Sequence, residues 1–340
     1  MLRFLFTKMT NVSGINSADS QRATDMEMKI RYMQEINGGG GVTLATGTPV
    51  SNTLSEMYVM QHYLQPQTLK RMGLEYFDNW ASVYGKTVTA LEVKPSGNGF
   101  RMKTRFSQFH NLPELANTFT EVFDIVKTAD LDLKLPKVAG GKPEIIVCEK
   151  SEDQDKQVEI GMKRAEAIEA GSVDRNEDNM LSVCTYMTKV ALDPRIVDPE
   201  AEDSPLLKVN QCAKRILELN EQYPNKTQVV FCDTNVPKNN EFSVYTELKK
   251  KLVESGKYAE NEVAFIHEAT TDAKRDDMFK KVNDGKIKII IGSTGKLGTG
   301  VNIQEKLIAA HHLDAPYRPA DLEQRNGRII RQGNTNDEVH

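Results

Sequence analysis

The second half of the sequence alternates short apolar runs with segments of helical periodicity, and this alternation constrains the fold more than any other feature. Four runs are apolar almost throughout, at 228–232, 263–266, 288–291 and 309–313. Helices are predicted at 243–254, 272–283 and 320–331. Strands that are apolar on both sides must be covered on both faces, and their alternation with helices favours parallel pairing. The sequence therefore predicts an α/β fold in which helices cover both faces of a parallel sheet.

The part of the chain before residue 228 is less regular. We predict a helix over 20–36, a short strand at 42–45 and a helix over 51–64. Residues 65–140 contain four prolines and a Gly-rich loop, which is typical of an irregular, partly helical insertion. Residues 139–143 are the best linker candidate. Four further elements are predicted beyond it: a strand at 144–148, helices over 151–170 and 177–190, and a helix that starts at Ser204-Pro205.

Length, charge and cysteine spacing exclude several classes of protein. The chain has 340 residues, which suits about two domains, and no apolar run of 18 residues that could span a membrane. Its net charge of −4 excludes a chain that is basic throughout, although a local basic groove can still attract a polyanion. No two of the four cysteines have zinc-ligand or redox spacing. We therefore expect buried, reduced thiols and a cytoplasmic protein.

A glycine-rich segment follows the third apolar run. Residues 292–302 read Gly-Ser-Thr-Gly-Lys-Leu-Gly-Thr-Gly-Val-Asn. Ligands of parallel sheets gather at the carboxyl ends of the strands, and glycines there let backbone N–H groups approach an anion. Ser293, Thr294 and Lys296 add side-chain donors, so the segment predicts a phosphate site; a tight strand-to-helix loop is the alternative. The segment matches neither a P-loop nor a dinucleotide fingerprint, because Leu297 and Ile303 stand at required positions.

A second motif lies in the last predicted helix. It reads Gln324-Arg-Asn-Gly-Arg328-Ile-Ile-Arg331. Arg328 and Arg331 are three residues apart, so a helix would present them on one face and Arg325 elsewhere. Two neighbouring guanidinium groups suit a polyphosphate ligand. The alternatives are that they pair with carboxylates of the protein or that they face solvent.

This second motif resembles the last signature of superfamily-two helicase-like ATPases, particularly the Swi/Snf type. Four more stretches resemble other motifs of that family in the correct order: 44–52 the third motif, 229–233 the fourth, 291–304 the fifth, and 313–319 the run before the sixth. The helix at 270–281 resembles the helix after the next strand of the family. The amino-acid sequences of residues 6–10 and 45–53 are most similar to the helicase part of large helicase–DNA adenine methylase fusions of phages and conjugative elements.

The resemblance implies two RecA-like lobes, with ATP between them and DNA across both. It implies catalytic roles for three residues: Arg328 and Arg331 as arginine fingers and Gln324 as the residue that helps to place them. It implies nucleotide binding or a lobe interface for Gly298, Gly300, Asn302, Thr46, Gly47, Thr48 and Asn52. It implies contacts with the DNA backbone, and little base reading, for Ser293, Thr294, Lys296 and Arg275.

The chain departs from the family in one respect. The P-loop and the acidic magnesium motif of the first lobe are absent from the sequence. The chain therefore resembles a fragment that begins after the magnesium motif. On this reading, residues 1–64 are the end of the first lobe, 65–140 an insertion and linker, and 141–340 most of the second lobe. ATP and Mg²⁺ would belong to the parent protein, and the missing first-lobe segment would be a partner.

Two functions of different classes follow. The first is part of an ATP-dependent DNA helicase or translocase, with possible fusion of the parent to a DNA adenine methylase of a mobile element. The second is a non-catalytic module that binds DNA or a partner. A nucleotide-using transferase on the same scaffold is a third, weaker reading. Asp314-Ala-Pro-Tyr317 imitates a methylase motif, but its place before the arginine motif favours the helicase interpretation.

Overall fold

The computed structural model describes residues 7–8, 12, 15, 20–47, 50, 53–94, 99–126, 130–174, 176–238, 241–298 and 301–340. These residues form two compact units. Unit 1 contains the described residues up to 131, and unit 2 contains those from 132 to 340. The domain boundaries expected from the sequence, after residues 64 and 140, stay a prediction.

Unit 1 is mainly helical. Its elements are α1 (Gln21–Ile36), α2 (Ser55–Leu64), α3 (Pro66–Arg71), α4 (Phe77–Tyr84), β1 (Gly85–Val93), β2 (Phe100–Phe109) and α5 (Leu112–Thr120). A core rich in aromatic residues joins the helices and β2, and Trp80 lies fully buried in it against Tyr58, Phe77 and Tyr84. The indole N–H donates to Gln61 at 2.7 Å, so the only tryptophan of the chain is buried without an unpaired polar atom.

Strands β1 and β2 form an antiparallel hairpin that the sequence did not predict. Several of its large apolar side chains point to solvent rather than into the core: Leu91, Val93, Phe100 and Met102. The hairpin is held mainly by its backbone ladder and by cross-strand pairs such as Thr89 with Thr104, whose hydroxyls are 2.8 Å apart.

Unit 2 is an α/β unit. Its elements are β3 (Lys137–Val138), α6 (Glu152–Glu169), α7 (Met180–Leu192), α8 (Lys208–Gln222), β4 (Thr227–Phe231), α9 (Val244–Glu254), β5 (Val263–Phe265), α10 (Asp272–Asp284), β6 (Ile289–Gly292), α11 (Thr294–Leu297), β7 (Leu307–His312), α12 (Pro319–Asn326) and β8 (Glu338–Val339). Four strands form a parallel sheet in the order β5-β6-β4-β7. The predicted fold class is confirmed.

The core of unit 2 has two layers, one on each face of the sheet. Along β4, Val230 belongs to the layer that contains α8 and α9, whereas Val229 and Phe231 belong to the layer that contains α10 and α11. This alternation is the structural reason why the strands are mostly apolar on both faces. Helix ends follow their sequence signals, since Thr271 caps α10 and Gly285, at φ 81°, ends it in the left-handed region.

The last residues extend the sheet. Strand β8 pairs in parallel with β3. The N–H of His340 donates to the carbonyl of Ile308, and its own carbonyl accepts from the N–H of Ala310, at 2.8 and 2.9 Å. The chain segment 337–340 therefore bridges β3 and β7.

Several local predictions were wrong. Neither 42–45 nor 144–148 is a strand, because no neighbouring strand among the described residues pairs with either; Ile145 and Val147 are 85% exposed. Helix α8 begins at Lys208, since Ser204 and Pro205 form a turn before it.

Two further expectations failed. Helix α12 ends at Asn326, so Arg328 and Arg331 do not lie on a continuous helix. The four thiols are free, but they are not all buried, because Cys184 is exposed.

Candidate functional site

The carboxyl edge of the unit 2 sheet gathers polar side chains from four segments. Asp233 lies just beyond β4, Thr294 just beyond β6 and Asp314 just beyond β7. Arg325 reaches the same point from the last turn of α12, and its side chain is fully buried. The ends of parallel strands meet at one edge, which is why residues far apart in sequence become neighbours here.

The guanidinium of Arg325 is the centre of this cluster. Its Nε donates to Thr294 Oγ1 at 2.8 Å, and its Nη1 donates to the backbone carbonyl of Asp314 at 2.8 Å. Its Nη2 donates to Asp233 Oδ2 at 2.7 Å and to Asp314 Oδ1 at 3.1 Å. An arginine is rarely buried unless it is paired, and these bonds provide the pairing.

The two carboxylates are also bonded to backbone N–H groups. Asp314 Oδ2 accepts from the N–H groups of Asp233 and Thr234, both at 2.7 Å. Asp233 Oδ1 accepts from the N–H of Thr294 at 2.6 Å, and Oδ2 accepts from its hydroxyl at 2.7 Å. Three strand ends are therefore joined by one hydrogen-bonded network, which we call the strand-end network: Asp233, Thr294, Asp314 and Arg325.

Arg328 and Arg331 converge on a single acceptor. The Nη1 atoms of Arg328 and Arg331 donate to the backbone carbonyl of Val301 at 3.1 and 2.9 Å. The Nε of Arg328 is buried and has no hydrogen-bond partner among the described residues. Partial burial and the adjacent charge of Arg331 lower the pKa of Arg328. The two guanidiniums thus lie side by side, as the sequence predicted, although a turn rather than a helix brings them together.

The other residues of the predicted nucleotide site differ in their surroundings. Gly298 is buried, and a side chain there would clash with the carbonyl oxygen of Thr294. Asn302 is exposed, and its carbonyl accepts from Asn283 Nδ2 at 3.0 Å. Gln324 is half-buried, and its side chain makes no hydrogen bond to another described residue. The roles of these residues stay predictions.

The predicted DNA contacts also separate into two kinds. Lys296 is exposed and Ser293 is half-buried, so both can be approached from solvent. The hydroxyl of Thr294 is instead used by Asp233 and Arg325. Arg275 pairs with Asp272 at 2.7 Å. Lys296 also acts on a neighbour, because its charge adds to burial in lowering the pKa of His267.

The residues expected from the first lobe lie in unit 1. Thr46 and Gly47 are both exposed there. Thr48 and Asn52 lie outside the described residues, as does Gly300 of unit 2.

Sequence reasoning missed Arg325 and Asp233 as parts of one network. The sequence separation between them is 92 residues. One signal was available: a charged residue stands directly after each of two apolar strands, at Asp233 and Asp314, and a third strand is followed by Ser293-Thr294. In a parallel sheet these positions meet, so a basic partner could have been sought.

The described residues also bear on metal binding and membrane insertion. In that part of the chain, no group of three or more His, Cys, Asp or Glu side chains is placed to hold a metal ion. None of its helices combines the length and the apolar character that crossing a membrane requires.

Comparisons with known proteins point to helicases. Residues 2–128 match a family model described as a probable helicase domain, and residues 208–333 match the helicase conserved C-terminal domain. A curated relative, "Defense against restriction protein B" of Escherichia phage P1, is 35% identical over 115 residues. That match covers 34% of this chain and only 5% of the relative. Two separate segments of the chain are therefore similar to helicase family models.

Two solved structures are similar over part of the chain. The C-terminal part of the Fun30 ATPase domain is 15% identical, with a TM-score of 0.45, over 61% of this chain and 84% of that one. The DUF1998 helicase MrfA bound to DNA is 15% identical, with a TM-score of 0.29, over 37% of this chain and 17% of that one.

Proposed function

We propose that this chain is part of an ATP-dependent DNA helicase or translocase, in which unit 2 supplies arginine fingers and contacts to the DNA backbone. The observation that carries the proposal is the convergence of Arg328 and Arg331 on the carbonyl of Val301. This pair lies within the region matched by the helicase conserved C-terminal domain.

The arginine pair has the chemistry of an anion site. Two positive groups that share one neutral acceptor repel each other, and one of them holds a buried Nε–H that no described residue accepts. A phosphoryl group would relieve both conditions, because it offers negative charge and three acceptor oxygens. In phosphoryl transfer such donors stabilise the charge that spreads over those oxygens in the transition state. Gln324 would help to position the guanidinium groups of Arg328 and Arg331.

Among the described residues, no three or more His, Cys, Asp or Glu side chains are placed to hold a metal ion. The carboxylates of Asp233 and Asp314 are both engaged by Arg325. We therefore assign no step of the reaction to a metal held by this chain. ATP and its Mg²⁺ would be bound jointly with a phosphate-binding segment of the parent protein.

DNA would bind through its backbone. Lys296 is exposed on α11, half-buried Ser293 precedes it, and both follow a strand of the sheet. These groups can bond phosphate but do not form a pattern that reads bases. Gly298, Gly300 and Asn302 would line the nucleotide or the interface with the first lobe, together with Thr46, Gly47, Thr48 and Asn52.

The sequence of this chain contains no P-loop, and this favours a second function for the chain taken alone: a module that binds DNA or a partner without turnover. The two functions separate in one assay. The helicase proposal requires that ATP hydrolysis appears when the chain is joined to a phosphate-binding lobe and depends on Arg328 and Arg331. The second function requires DNA binding that ATP never changes.

DNA binding itself is tested by fluorescence anisotropy with unrelated duplexes at two salt concentrations. We expect weak binding, and we expect Lys296→Ala to reduce the magnitude of the salt slope by about one. Lys250→Ala is the matched control, since Lys250 is equally an exposed helical lysine but lies on α9. A strong sequence preference, or binding without salt dependence, would count against the proposal.

The finer assignments are part of the same proposal. They are the Swi/Snf type, a cytoplasmic location, and a parent protein of a mobile element fused to a DNA adenine methylase. The similarity to a phage protein supports an origin in mobile elements.

A further inference from the structure

We propose that Arg325 is a positioning residue: its buried guanidinium ties the segment that carries Arg328 and Arg331 to the loop that carries Lys296. The positions of the two segments are therefore coupled to each other. What these segments bind rests on the proposed function, but the tie itself does not.

The burial of Arg325 shows how strongly it is held. Its side chain is fully buried, and four donor–acceptor contacts join it to the segments that follow β4, β6 and β7. Its guanidinium carbon also lies 5.4 Å from the ring centre of Phe231. A lysine could supply the charge but not the planar set of donors, so only an arginine can reach all three strand ends.

The tie reaches the arginine pair through the end of α12. Arg325 stands one residue before the end of that helix, and its carbonyl accepts from the N–H of Arg328 at 3.1 Å. Arg328 and Arg331 follow in the turn after the helix, where they meet the carbonyl of Val301. The position of both guanidiniums therefore depends on where the last turn of α12 is fixed.

The tie reaches the loop through Thr294. This residue begins α11, which also contains Lys296. Its hydroxyl accepts from Arg325 Nε and donates to Asp233, and its N–H donates to the same carboxylate. Any displacement of the loop removes an acceptor from Arg325 directly.

The test is hydrogen exchange of the whole chain with Thr294→Val, which keeps the shape of the side chain and removes the hydroxyl. A buried donor without an acceptor destabilises its surroundings, so we expect amides of 293–298 and of 327–331 to exchange about tenfold faster or more. Amides of α8 should keep their wild-type rates. Thr294→Ser retains the hydroxyl and should restore wild-type exchange in both segments.

Thr246→Val is the matched control, because Thr246 donates locally to the carbonyl of Ser243 at 2.8 Å and has no bond to the strand-end network. It should change exchange near the start of α9 and leave 327–331 unaffected. Two results would overturn the proposal: faster exchange confined to 293–298, or an equal acceleration of α8, which would indicate a general loss of stability.

A second arm of the experiment adds duplex DNA at low salt. We expect DNA to slow exchange at 293–298 and 327–331 in the wild type, but only at 293–298 in Thr294→Val. Slowing of both segments in the variant would contradict the tie. If DNA changes no exchange rate in the wild type, the DNA part of the proposed function fails, while the first arm still decides on Arg325.

Discussion

Replacing Arg325 by methionine should destabilise unit 2 strongly. Methionine has a similar length but leaves the carboxylates of Asp233 and Asp314 without their common cation. Asp314 is the more costly of the two, because its side chain is 7% exposed whereas that of Asp233 is 40% exposed. Removing one partner of a buried ion pair costs about 3–5 kcal/mol, and we expect a loss of unfolding free energy in this range.

Urea denaturation provides the assay. Trp80 is the only tryptophan and lies in unit 1, so its fluorescence follows unit 1, while circular dichroism follows the helices of both units. We expect Arg325→Met to move a transition that is visible by circular dichroism and not by Trp80 fluorescence. Adding Asp314→Asn should recover part of the loss, with a coupling of about 0.5–3 kcal/mol, because it removes one stranded charge.

Arg318→Met is the matched control for that experiment. Arg318 also stands at α12, but its ion pair with Asp321 is exposed, and such pairs contribute about 0–1 kcal/mol. If Arg325→Met costs no more than Arg318→Met, the buried network does not stabilise unit 2 and the reasoning is wrong.

Two further predictions concern unit 2. Gly298→Ala should cost about 1–3 kcal/mol of unfolding free energy, because the added Cβ would clash with the carbonyl of Thr294. Gly295→Ala is the control, and it should be neutral or stabilising because a Cβ at Gly295 meets open space. Equal effects of the two substitutions on urea denaturation would refute this prediction. Burial lowers the pKa of His311 to about 3 from its usual 6.5, so the unfolded chain binds the proton first and stability should fall as the pH drops below 6.5. Between pH 6 and 4, His311→Gln should reduce the slope of unfolding free energy against pH by about 1.4 kcal/mol per pH unit. Thermal melts across that range measure this slope, and an unchanged slope would show that His311 does not cause the pH dependence.

The sequence predicted the strands of the sheet well because their constraint is local. A strand buried on both faces, such as 289–292, must be apolar at every position, and this leaves a clear run. The hairpin β1–β2 was missed because its exposed side chains, among them Leu91 and Met102, leave no alternation of buried and exposed residues to detect. The predicted strands at 42–45 and 144–148 failed because a strand also needs a partner, and the local sequence contains no information about that partner.

The candidate site shows the same division. The neighbouring positions of Arg328 and Arg331 followed from short spacing, although the helix assumed for them ends earlier, at Asn326. Arg325 was assigned to another face of that helix, and its actual partners are set by tertiary structure. Asp314 is 11 residues away and Asp233 is 92 residues away. Only the order of strands in the sheet brings them together.

The central claim is that Arg328 and Arg331 act on the transition state of ATP hydrolysis. It is tested most directly by steady-state kinetics of Arg328→Lys and Arg331→Lys, in a longer protein that joins this chain to a phosphate-binding lobe, with a melting curve for each variant. An arginine finger contributes about 10³–10⁵ in rate, and lysine lacks its planar donors, so kcat should fall by about a hundredfold or more while the KM for ATP and the melting temperature change little. An unchanged kcat with a lowered melting temperature would contradict the account, because it would make both arginines structural.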